Sequence, residues 1–71
     1  MEYGKLIKER RREIGVTQEQ LSDVSGVSLS YIKLVEAGKA NPTVSVLETL
    51  LDCLGLEIAV QLKQPKVNAE R

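Results

Sequence analysis

Residues Thr17 to Gly38, TQEQLSDVSGVSLSYIKLVEAG, constrain this chain more than any other stretch. They predict two short helices joined by a tight turn. Thr17 and Ser28 are the N-cap candidates, because a hydroxyl there accepts a hydrogen bond from an orphan N–H of the first helical turn. Between them lies Ser25-Gly26-Val27, with Gly26 placed where a left-handed backbone angle ends the first of the two helices. Leu21 and Val24, then Val27, Ile32 and Val35, give an apolar face that continues across the turn.

The segments on either side follow the same logic. Residues 2–14 read as a preceding helix, with Tyr3, Leu6, Ile7, Arg10 or Arg11, and Ile14 at three- and four-residue spacing. Gly15 stops it. The next two helices fall at about 17–24 and 28–37, and Gly38 ends the latter. Pro42 keeps Asn41 extended, and Thr43 is placed to cap a fourth helix. Val44, Leu47, Leu50, Leu51 and Leu54 supply that helix's period, and Gly55 ends it.

Then the period changes. Leu56, Ile58, Val60 and Leu62 alternate with Glu57, Ala59 and Gln61, a period-two pattern that predicts a strand. A fifth helix is the alternative, but seven alternating residues fit poorly with one helical face. No other segment reads as a strand, and a lone strand leaves a row of backbone groups unpaired. The simplest solution is an antiparallel ribbon made by two copies of the chain. Residues 1–63 are thus expected to form one domain, with 64–71 as a flexible tail.

Composition narrows the function. Seventy-one residues allow one small domain, which buries only about 60% of its unfolded surface, so association often helps. Tyr3 and Tyr31 are the only aromatics, so the core must be aliphatic. Cys53 is single, which excludes an internal disulfide, and it reads as a small buried hydrophobe within Val46–Leu56. No histidine is present, which excludes a His-based triad and His-ligated metal. An enzyme is not expected, nor a cofactor or metal. No apolar run approaches the ~18 residues that span a bilayer, and no apolar stretch follows Lys5–Arg12 to make a secretory leader. A soluble, cytoplasmic, nucleoid-associated protein is expected.

Ten basic and ten acidic residues give zero formal net charge, which argues mildly against nucleic-acid binding. Their distribution argues the other way. Lys5, Lys8, Arg10, Arg11 and Arg12 cluster in the first helix, Lys33 and Lys39 lie at or just after the third, and Glu48, Asp52 and Glu57 come later. A tight helix pair with a basic neighbour reads as a helix-turn-helix unit, its second helix free to lie in a DNA major groove.

The ordered set Thr17-Gln18-Glu19-Gln20-Leu21, Gly26-Val27-Ser28, Ile32, Glu36-Ala37-Gly38 and Asn41-Pro42-Thr43 resembles the Cro/C1-type (XRE) helix-turn-helix domains of phage repressors and bacterial regulators. The resemblance covers about residues 3–55. It implies a mainly α fold, a lambda-repressor-like domain of four to five helices, here with a C-terminal strand pairing across a homodimer. The segment after the fourth helix further resembles HipB-like antitoxins, whose dimers form through such a ribbon.

The resemblance also implies site residues. Gln18 matches a phosphate contact, and a helix N-terminus suits an anion. Ser28, Leu29, Ser30 and Lys33 match base-reading positions on the outer face of the third helix. Serine hydroxyls can bond base edges, Lys33 can reach guanine or a phosphate, and Leu29 can meet a thymine methyl. Ser28 doubles as an N-cap, and Leu34 is open between core and groove edge. Tyr31 is expected on a phosphate, with packing against the first helix as the alternative. Lys39 and Asn41 are expected phosphate contacts. Arg11 and Glu36 match a pair in which the arginine bridges to the glutamate, bracing the first and third helices while still facing the DNA backbone. Lys5, Lys8, Arg10 and Arg12 are expected mostly as a solvated face.

The expected function is a sequence-specific DNA-binding transcriptional regulator, a dimeric repressor on a palindromic operator, with Leu56, Ile58, Val60 and Leu62 at the dimer contact. An antitoxin paired with a HipA-like kinase toxin is the narrower expectation. A stand-alone phage-type repressor and a protein-interaction adaptor are the alternatives.

Overall fold

The computed structural model describes residues 3–67. Four helices follow one another: α1 (Tyr3–Glu13), α2 (Gln18–Ser25), α3 (Leu29–Glu36) and α4 (Val44–Cys53). Three of them begin at a hydroxyl cap. Thr17 Oγ1 accepts from the Gln20 N–H at 3.0 Å, and the Gln20 side chain accepts the Thr17 N–H at 2.9 Å. This reciprocal capping box satisfies two donors that a helix start would otherwise leave open. Ser28 Oγ accepts from the Tyr31 N–H, and Thr43 Oγ1 from the Val46 N–H, both at 3.2 Å. Between α2 and α3 the chain turns at Gly26, whose φ of 76° costs an L side chain energy but not glycine. Its N–H closes α2 on the Ser22 carbonyl at 3.0 Å.

The core is aliphatic throughout: Ile7 from α1, Leu21 from α2, Ile32 and Val35 from α3, and Leu47, Leu50, Leu51 and Leu54 from α4 and its end. Tyr3, Val16, Val27, Tyr31 and Leu56 pack around it half-buried. Cys53 is half-buried as well, at the core's margin rather than inside it. Helix α3 packs on α1 and α2, and α4 packs on α2.

The α1–α3 approach depends on Gly4, which no local sequence pattern singles out. Gly4 is buried, and a Cβ there would overlap the Val35 carbonyl oxygen and come within 3.0 Å of Glu36 Cα. The two backbones therefore meet at Gly4, and no larger residue fits between them.

Four expectations differ from the structure. Val24 is 69% exposed and outside the core. The inward side of α2 runs through Gln18, Leu21, Ser22 and Ser25, and at 100° per residue Val24 falls about 100° from its centre. Val44 is also exposed, as the first residue of α4; Leu6 lies at the edge of the α1 stripe, and Ile14 falls just past the helix's last residue, Glu13. Finally, residues 56–62 form neither a strand nor a fifth helix within the single chain. No other described segment offers a ladder of backbone groups, so there is nothing for a strand to pair with. Leu56 is half-buried, Ile58 is 42% exposed, and Val60 and Leu62 touch almost nothing, at 97% and 103%.

Candidate nucleic-acid interface

One side of α3 is held by the core through Ile32 and Val35. The opposite side carries Ser30, Lys33, Leu34 and Ala37, all exposed. Leu34 belongs to this outer face, at 44% exposed, which resolves its two readings in favour of the surface. Leu29 does not share that openness. It is half-buried on the flank, lining a depression of about 200 Å³ with Thr17, Gln18, Glu19 and Lys33. Ser28 Oγ is occupied by its capping bond, with Ser30 Oγ 3.5 Å away. Tyr31 is half-buried against the core cluster.

The first and third helices are joined by a forked ion pair. Arg11 Nε donates to Glu36 Oε2 and Arg11 Nη2 to Glu36 Oε1, both at 2.8 Å. Arg11 Nη1 donates to the Val16 carbonyl at 3.0 Å, so the same guanidinium also holds the loop entering α2. Gln18 Nε2 adds a third donor to the carboxylate, reaching Glu36 Oε1 at 3.1 Å. Burial alone would push the Glu36 carboxyl up. The hydrogen bonds from Arg11 and Gln18, with the charges of Arg11 and Lys8, outweigh it and hold the group below the usual carboxylate range. Arg11 is correspondingly raised, by its bonds to Glu36 against the cost of burial. The fork and the Val16 bond together use three of the guanidinium's five N–H donors, leaving one on each Nη.

Around this brace the fold gathers further positive charge. Lys8 and Arg12, one helical turn apart on α1, line a depression of about 310 Å³ together with Arg11, Gln18, Lys33, Glu36 and Ala37. The i, i+4 spacing of Lys8 and Arg12 was visible in the sequence, but their meeting with Lys33 depends on how α1 crosses α3. Asn41 lines a separate cleft of about 250 Å³, with Lys5, Tyr3 and Gly38. Lys39 is exposed in the same loop, its N–H bonded to the Leu34 carbonyl at 2.8 Å.

Arg10 faces elsewhere. Its Nε donates to the Leu54 carbonyl at 2.9 Å and its Nη1 to Glu13 Oε1 at 3.0 Å. It fastens the end of α4 to α1, a contact across 44 residues that no local pattern announces. Among the described residues, no group of three or more Cys, Asp or Glu side chains is placed to hold a metal, and no helix is long and apolar enough to cross a membrane.

A capped helix pair with a tight glycine turn, its second helix open to solvent and flanked by bases, defines a helix-turn-helix domain. The chain belongs to the Cro/C1-type helix-turn-helix family: the family described as "Helix-turn-helix" matches residues 7–61. It is 32% identical over 63 residues to the HTH-type transcriptional regulator PuuR of Escherichia coli, an alignment covering 89% of this chain and 34% of that protein. It is 36% identical over 59 residues to the immunity repressor protein of Bacillus phage phi105, covering 83% and 41%. It is 46% identical over 46 residues to the uncharacterized HTH-type transcriptional regulator y4dJ of Sinorhizobium fredii, covering 65% and 60%. The chain thus spans between about a third and three fifths of the length of these relatives. No solved structure matches it significantly.

Proposed function

We propose that this chain is the DNA-binding part of a transcriptional regulator, acting as a repressor. The observation that carries this reading is the outer face of α3, which has no partner among the described residues. It carries Lys33 and lies beside Lys8, Arg11 and Arg12, while Ile32 and Val35 fix the helix from behind. In this reading Ser30, Lys33 and Leu34 meet base edges, and Leu29 enters from the flank. Gln18, Tyr31, Lys39 and Asn41 face phosphates, as does the remaining N–H capacity of Arg11, and Ser28 serves first as a cap. The regulator and repressor names of the relatives support the same conclusion.

Such a protein works as a dimer. Pairing of Leu56–Leu62 between two copies would supply the missing ladder and cover Ile58, Val60 and Leu62. The two α3 helices would then enter successive major grooves about 34 Å apart on a palindromic operator. The test is an anisotropy titration against the DNA flanking its own gene at several salt concentrations. Affinity should fall steeply with salt, and equal affinity for scrambled duplex removes sequence-specific regulation. The exposed apolar segment after α4 also favours a narrower role as antitoxin to a HipA-like kinase, tested by co-purification with the product of a neighbouring kinase-like gene. An adaptor role, motivated by exposed Leu34, predicts that Lys33→Ala with Arg12→Ala, both exposed and outside the ion-pair brace, leaves partner binding intact.

A further inference from the structure

Charge from α4 to Lys66 is ordered. Glu48 and Asp52 lie on α4, Glu57 follows Leu56, and Lys63 and Lys66 come after the alternating segment. Glu48, Thr49, Asp52, Leu56, Glu57 and Ile58 line an open groove of about 500 Å³ that combines three acidic side chains with two apolar ones. Among the described residues the ion pairs are Arg10–Glu13 and Arg11–Glu36, so these three acids have no cationic partner. Beyond the groove, Val60 and Leu62 are fully in solvent. An apolar middle therefore separates an acidic end from a basic end.

We propose that this groove seats the Lys63–Lys66 end of a second copy of the chain, running antiparallel and centred on Ala59. The inference rests on the dimer reading above and adds its register and its electrostatic basis. Leu56, Ile58, Val60 and Leu62 are symmetric about Ala59, so centring there places 56 opposite 62, 57 opposite 61 and 58 opposite 60. Every apolar residue then meets another, on one face. On the other face Lys63 of the partner subunit lies diagonal to Glu57, within reach of its long side chain. Continuing in that direction carries the partner's Lys66 toward Asp52 and Glu48. A two-fold axis makes both sets of contacts occur twice. Parallel pairing would instead set Glu57 beside Glu57 and Lys63 beside Lys63, so the charge order selects the antiparallel arrangement.

Two single reversals and their mixture test this by sedimentation equilibrium. Glu57→Lys makes both ends of the segment basic, and Lys63→Glu makes both acidic. Each alone is expected to raise the homodimer dissociation constant by roughly tenfold, because attraction becomes repulsion at two symmetric places. An equimolar mixture of the two variants is expected to form heterodimers with near wild-type affinity, since each then meets its complement. The double variant should also homodimerise like wild type. Both residues are exposed, so neither change touches the core. A dimeric wild type with variants that dimerise equally well, or whose mixture gives no heterodimer, overturns the charge pairing alone. A wild type that stays monomeric overturns it together with the dimer reading.

Discussion

Arg11 and Glu36 face each other through two parallel N–H···O bonds of 2.8 Å, with side chains only 10% and 4% exposed. The pair links α1 to the last residue of α3, and Gln18 and the Val16 carbonyl extend the link to α2. One ion pair thus fixes the position of three helices around the outer face of α3. Because both charges are withdrawn from water, removing either leaves the other uncompensated. Arg11→Ala should cost about 3–5 kcal/mol, read from urea unfolding at neutral pH.

The same pair gives stability a defined response to acid. Glu36 has its carboxyl lowered in the folded state. Its contribution is therefore complete above the unfolded value of about 4.3 and is lost as pH falls through the lower folded value. Wild type should weaken across that acid window. Glu36→Gln should be less stable at pH 7 yet flatter through the window, as seen in unfolding midpoints measured at a series of pH values. An unchanged acid slope would remove Glu36 as the titrating group.

Gly4→Ala tests the close approach of α1 to α3. On helix propensity alone, alanine would stabilise by about 1 kcal/mol. The overlap with the Val35 carbonyl reverses the sign, and a net loss of about 1–3 kcal/mol is expected. The denaturant midpoint decides between the two directions.

Core and surface valines and leucines should separate cleanly. Leu50 is fully buried and Val24 is 69% exposed. Leu50→Ala is expected to cost about 2–5 kcal/mol, whereas Val24→Ala should stay within about 0.5 kcal/mol. Thermal unfolding of the two variants side by side measures the contrast.

Val60→Pro removes a ladder donor from the proposed ribbon without touching the core. The dimer should dissociate while far-ultraviolet circular dichroism stays helical. A variant that sediments as wild-type dimer would contradict pairing through residues 56–62.

These expectations also mark where sequence reading succeeds. The caps Thr17, Ser28 and Thr43 and the turn at Gly26 act within three or four residues of themselves, so the helices they bound were legible locally. Glu36 and Arg11 were matched through the family resemblance, and their geometry is now explicit. Gly4, Val24, Arg10 and the meeting of Lys8 and Arg12 with Lys33 were not legible, because each depends on the angle at which one helix crosses another. Residues 56–62 show a different limit. Their alternation is a genuine strand pattern, but a strand needs a partner, and the described part of one chain contains none.

Reading of DNA sequence by the outer face of α3 is the centre of the proposed function. Its most direct test is selection of duplexes from a random pool by wild type and by a Ser30→Ala, Lys33→Ala, Leu34→Ala variant. None of the three residues is in the core. Wild type should yield a two-fold symmetric consensus, and the variant, with its helical fold retained, a lost or altered preference within each half-site. The same consensus recovered by both proteins would contradict it.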